Sequence, residues 1–215
     1  MRRTRGWTDN QYVYFVAQFS KPFQAIDFIQ NKKMVSAGVK LNGTDLQACL
    51  SFDNSNGEPV IAKVGLSIVS EKNARENLET EVIGFDFDAV RSAARSAWEQ
   101  ALSAITVKGG NTDDLKNFYT AMYHSMVVPN VVSDVNGEYR RHNMEIGQLP
   151  KGKVQYSTFS LWDTFRAWNP LMTIFTINIV HDIGYNHSVI HSNIKVLLVG
   201  FTTTLHSNSR YGTFA

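Results

Sequence analysis

The stretch 159-FSLWDTFRAWNPLMTI-174 sets Asp163 and Arg166 between two tryptophans in an otherwise apolar run. In a chain of which only 19% is charged, such a pair needs a reason. The run reads as the start of an apolar helix, and on a helix residues three apart share a face, so Asp163 and Arg166 can pair there with Trp162 beside them. Two readings stay open on spacing alone. The trio is a buried structural lock in which the charges satisfy each other, or it is one wall of a polar pocket.

Upstream of this stretch the sequence changes character twice. From Gln11 to about Ser70 it reads as antiparallel strands: 11-QYVYFVAQFS-20, 47-QACLSFD-53 and 60-VIAKVGLSIVS-70 are rich in β-branched and aromatic residues. Between them lie the turn clusters 42-NGTD-45 and 53-DNSNGEP-59, whose Asn-Gly steps supply positive φ. At 71-EKNARENLE-79 and again over 86-DFDAVRSAARSAWEQALSAI-105 the period becomes helical, with Val90, Ala94, Ala97, Trp98 and Ala101 on one side. Asp86 or Asp88 serves as N-cap and 108-KGG-110 as the stop. A further helix is expected over 113–127, ended by Pro129. The segment 131-VVSDVNGEYRR-141 then reads as a hairpin around Asn136-Gly137, and 146-IGQLPKGKVQY-156 as a loop.

Composition bounds what such a chain does. Its 215 residues, 43% hydrophobic, suffice for one large or two small globular units with a core. A net charge of +2 without basic stripes gives no reason to expect nucleic acid as a partner. No window approaches the roughly 18 apolar residues of a spanning helix, so no membrane partner is expected either. The first residues, MRRTRGWTDNQY, are basic but have no apolar leader core behind them. A lone cysteine, Cys49, excludes an internal disulfide and leaves the compartment open.

Other constellations are weaker. In 2-RRTRGW-7 three arginines precede Gly6 and Trp7, as in a solvated basic end. His187 and His191 stand four apart, the spacing of helical metal ligands, but without the Glu and third ligand of a zinc protease. The stretch 134-DVNGEY-139 has Gly137 at its fourth position rather than the sixth and no closing Glu, so it reads as a tight turn and not a calcium loop. No phosphate-binding glycine loop and no nucleophile elbow occurs. A pocket built on Trp162, Asp163 and Arg166 would suit a sugar: carboxylate and guanidinium each bridge two hydroxyls, and an indole stacks on the apolar side of a pyranose.

Four stretches together resemble glycoside hydrolase family 92, the α-mannosidases. They are 2-RRTRGWTDNQYVYFVAQFSKPF-23, 63-KVGLSIVSEKNARENLETE-81, 118-FYTAMYHSMVVPN-130 with 134-DVNGEYR-140, and 159-FSLWDTFRAWNPLMTI-174. The resemblance implies an α+β protein: a partial antiparallel β-sandwich, linker helices, and the start of an α/α toroid of six hairpins. It implies the C-terminal part of the sandwich over 1–85, the linker helix over 86–110 and the toroid's start over 111–175. It further implies removal of α-1,2-linked mannose from mannose-containing glycans with inversion, a calcium cofactor, and a periplasmic or extracellular location. An inverting glycosidase needs one carboxylic acid on the leaving oxygen and a second carboxylate holding a water. Calcium suits sugar hydroxyls because it takes six to eight oxygen ligands. The family's Trp-Asp-Thr-x-Arg stretch falls on Trp162, Asp163, Thr164 and Arg166, implying the wall of the mannose subsite. Its Arg-Gly-Trp stretch falls on Arg5, Gly6 and Trp7, at the sandwich side of the cleft.

After Thr176 the charge drops to Asp182, Lys195 and Arg210 while four of the six histidines appear, and helical periodicity ends. The family continues there with a Gly-Asn-Glu-Thr stretch and later an acidic stretch before Gly-Gln; neither occurs here, so the catalytic acid, the base and the main calcium ligands are expected to be missing. A tail of this kind over 176–215 is what a shifted reading frame produces, with a divergent extension as the alternative. The expectation is therefore an internal fragment that is inactive by itself and needs the remainder of the catalytic domain as partner. A non-catalytic carbohydrate-binding module is the alternative.

Overall fold

The computed structural model describes residues 2–4, 11–35, 40–141, 143–157 and 161–175. Arg5, Gly6, Trp7 and the tail from 176, with His187 and His191, lie outside the described residues. The described chain is mixed α+β, small antiparallel sheets first and helices after. None of its helices is long and apolar enough to cross a membrane.

The first sheet joins β1 (Arg2–Thr4), β2 (Gln11–Phe19) and β6 (Ala62–Ser67) in the order β1-β2-β6. Strand alternation gives it two faces. On one, Val16 is buried opposite Gly65; on the other, Phe15 stands opposite Leu66 and Ala17 opposite Val64. Helix α1 (Glu71–Glu81), capped at its start by the Ser70 side chain, lies on the Val16 face. Val16, Ala74 and Leu78 form its core, with Tyr14 and Val82 against them. Gly65 permits the close approach: a Cβ there would strike the Ala74 carbonyl and come within 2.6 Å of the Leu78 Cβ. Lys63 Nζ closes the other end of the helix by donating to the Val82 carbonyl at 2.9 Å.

The opposite face of this sheet is uncovered among the described residues, with Phe15, Val64 and Leu66 each more than half exposed. What packs on the Val16 face of the sheet is helix α1. A second sheet, in the order β4-β3-β5, holds β3 (Ala25–Gln30), β4 (Lys33–Val35) and β5 (Leu46–Ser51). Strands β3 and β4 carry no Asn-Gly signal; Asn31 and Lys32, at φ 50° and 63°, make the two-residue turn between them.

Helix α2 (Phe87–Leu102) starts at the expected Asp86 cap, and α3 (Thr112–Met126) starts at Asn111, whose side chain forms a capping box with Asp114. Trp98 of α2 packs on Tyr123 of α3 with ring centroids 4.6 Å apart. The hairpin lies further along than Asn136-Gly137. That step, with Gly137 at φ 84°, makes a tight turn leading into β7 (Glu138–Arg140), which pairs with β8 (Ile146–Gln148) inside the stretch expected to be a loop. A backbone bond from the Arg141 N–H to the Glu145 carbonyl, at 2.8 Å, closes the hairpin instead.

The apolar run over 161–175 is broken in two: α4 (Leu161–Thr164), a turn over 165–167, and α5 (Trp168–Phe175). Proline explains the break. In one continuous helix the ring of Pro170 would meet the carbonyl of Arg166, whereas in the first turn of α5 its missing N–H is no loss.

Candidate functional site

A directed bond holds helix α5 against the end of α3: Trp168 Nε1 donates to the Ser125 carbonyl at 2.6 Å. Met172, one turn on, is buried. Between α2, α3 and α5 lies an apolar cavity of about 330 Å³, lined by Trp98, Met126, Pro129, Tyr156, Trp168 and Met172 among others. No charged side chain lines it. Asn169 is buried beside this region, and its Oδ1 has no hydrogen-bond partner among the described residues.

Asp163 and Arg166 are both exposed, and the break places them on different sides of a helix end. No ion pair joins them among the described residues; the Arg166 guanidinium lies 5.6 Å from the centre of the Phe165 ring. The self-satisfying lock, one of the two readings of the spacing, is therefore not formed. Trp162 belongs to α4, and its side chain is outside the described residues.

The charged residue that is locked lies elsewhere, outside the candidates that the sequence suggests. Asp134 is buried, and its carboxylate accepts from Ser67 Oγ, Asn73 Nδ2 and Asn77 Nδ2, each at 2.7 Å. Asn73 donates at the same distance to Glu138 Oε2. Asn77 also donates to the Leu66 carbonyl at 2.8 Å and accepts from the Val135 N–H at 2.9 Å. Arg140 spends its guanidinium on the carbonyls of Ile68, Val69 and Met144. A signal for this exists in the sequence: Asn73 and Asn77 stand four apart on the side of α1 that carries Ala74 and Leu78, where a buried amide demands a partner.

Calcium finds no complete ligand set here. Among the described residues no group of three or more His, Cys, Asp or Glu converges, and both Asp134 carboxylate oxygens and Glu138 Oε2 are engaged by amides and a hydroxyl. The residues described thus do not fit the ion, and no chemical step is assigned to it on this chain.

Comparison with known proteins supplies the context. The glycosyl hydrolase family 92 N-terminal domain matches residues 1–67, and the family's catalytic domain matches residues 73–201, continuing past Thr176. A family GH92 α-mannosidase of Bacteroides thetaiotaomicron superposes with a TM-score of 0.80 at 31% identity, covering 88% of this chain and 26% of that one. The same enzyme is known in complex with mannoimidazole. An inverting family GH92 mannosidase of that organism shares the fold with a TM-score of 0.72 at 23% identity, over 86% of this chain and 25% of its own. An uncharacterized secreted glycosidase of the fungus Arthroderma benhamiae is 35% identical over 150 residues, which are 64% of this chain and 18% of that protein. The chain thus spans about a quarter or less of the relatives it matches. Two adjoining family matches, a shared fold and the Trp162–Arg166 stretch agree: this chain belongs to glycosyl hydrolase family 92.

Proposed function

We propose that this chain is part of an exported, inverting α-1,2-mannosidase and that Trp162, Asp163 and Arg166 form a wall of its mannose subsite, facing Gly6 and Trp7. The observation that carries the reading is that Asp163 and Arg166 are exposed and not paired with each other, so their hydrogen-bonding capacity is open to a ligand. A carboxylate accepts two hydroxyl protons and a guanidinium donates to two hydroxyl oxygens, so the two together can fix both the position and the tilt of one pyranose. The relative with 31% identity that binds mannoimidazole supports mannose as that sugar, and the name of the fungal relative supports export. The acid and base of inversion, some 6.5–9.5 Å apart around a water, and the ligands of a calcium ion belong in this reading to the remainder of the catalytic domain.

The 215-residue chain alone then holds half a site. Titration with α-1,2-mannobiose is expected to give no saturable heat, and incubation with it no released mannose. Released mannose would overturn the inactivity of the isolated chain. Saturable binding that disappears in Trp162→Ala would favour the binding-module alternative.

A further inference from the structure

The Asp134 network straddles the boundary between the two family matches. Ser67 closes the stretch matching the N-terminal domain, while Asn73, Asn77 and Asp134 fall in the stretch matching the catalytic domain. The carboxylate therefore ties the last strand of one to the first helix and a later turn of the other. Its partners are all neutral, so the buried charge is held by directed hydrogen bonds alone, and losing one acceptor atom leaves donors stranded.

The chain on the N-terminal side of Asp134 pairs with the segment that precedes the candidate sugar wall in sequence. Val132 and Ser133 donate through their backbone N–H groups to the Gln155 carbonyl, at 2.8 and 3.4 Å. Gln155 N–H returns a bond to Ser133 Oγ, and Val131 bridges Tyr156. Asn130 and Ser157 exchange two more bonds: Ser157 N–H to the Asn130 carbonyl at 2.7 Å, and Asn130 N–H to Ser157 Oγ at 3.0 Å. Ser157 stands four residues before α4. A short, doubly bonded ladder thus runs from the buried carboxylate to Ser157.

We propose that Asp134 is a positioning residue: through the paired segments 130–134 and 155–157 it fixes the Trp162–Arg166 wall relative to the N-terminal sheet. Because that sheet's side of the cleft carries Gly6 and Trp7 in the proposed function, the network sets the spacing of the two walls across which a mannoside would lie. The inference rests on that reading for its purpose, but its test involves no sugar, so failure of one leaves the other standing.

The distance between the two parts can be measured directly. In the full 215-residue chain with Cys49→Ser, spin labels are attached through Ala62→Cys on β6 and Ile174→Cys on α5, both at exposed positions. The distance distribution between them is recorded by pulsed electron resonance. Asp134→Asn, and separately Asn77→Ala, should widen that distribution about twofold or more while the circular dichroism spectrum keeps its folded form, since the elements stay folded and only their tie is lost. A width unchanged in both variants would overturn the proposal. So would loss of the folded spectrum in both, which would make the network a plain stability element.

Discussion

Single residues decide two questions here. At Gly65 the backbone of β6 lies so close to α1 that any side chain must displace the Ala74 carbonyl or Leu78. Neither is the flexible end of a side chain, so Gly65→Ala should cost about 3 kcal/mol, at the upper end of overpacking penalties, read as a drop in the urea midpoint. Asp163 and Arg166 make the opposite case. Being exposed and unpaired with each other, they contribute little to folding, and Asp163→Asn or Arg166→Ala should shift stability by no more than about 0.5 kcal/mol. A loss of several kcal/mol in either variant would restore the structural-lock reading. Spacing cannot separate these outcomes, because i and i+3 imply a shared face only if the helix runs unbroken between them. Asp134 escapes notice for a related reason: its three donors come from β6 and α1, more than fifty residues away, and nothing local to 134-DVNGEY-139 marks it as buried.

Elements are legible where their ends carry chemistry. Asp86 and Pro129 mark α2 and α3 because a cap and a ring without an N–H act locally. The start of α3 at Asn111 obeys the same logic, and Asn111→Ala should lower stability by about 1 kcal/mol, measurable by thermal unfolding. The β3–β4 hairpin stays hidden because Asn31-Lys32 reaches positive φ without glycine. The Asn136-Gly137 step reads as a hairpin loop because it has the right composition; the strand after it, however, finds its partner on the far side of another turn. The break between α4 and α5 is written in Pro170. Replacing it, Pro170→Ala, removes the obstacle to one continuous helix, and residues 165–167 should then acquire helical carbon chemical shifts; unchanged shifts would assign the break to tertiary packing instead.

At the scale of the whole molecule, the apolar surface shows what the chain is part of. One face of the β1-β2-β6 sheet and much of α2 are uncovered among the described residues, including Phe15, Leu66, Phe87 and Val90. Surfaces of this kind are normally covered by further layers of the same protein, in keeping with a chain that matches 26% of a solved family 92 α-mannosidase. The order of strands and helices is legible because periodicity is local. Their layering is not, because it depends on surfaces that the neighbouring parts of the protein provide. The central claim, that Asp163 and Arg166 hold mannose, is tested most directly in a chimera in which this chain replaces the matching segment of that α-mannosidase. Steady-state release of mannose from α-1,2-mannobiose is then compared before and after Asp163→Ala and Arg166→Ala. Loss of a charge-assisted hydrogen bond to the substrate predicts that each lowers kcat/KM by about 100-fold or more with the fold intact; an active chimera whose kcat/KM is unaffected by either substitution would contradict it.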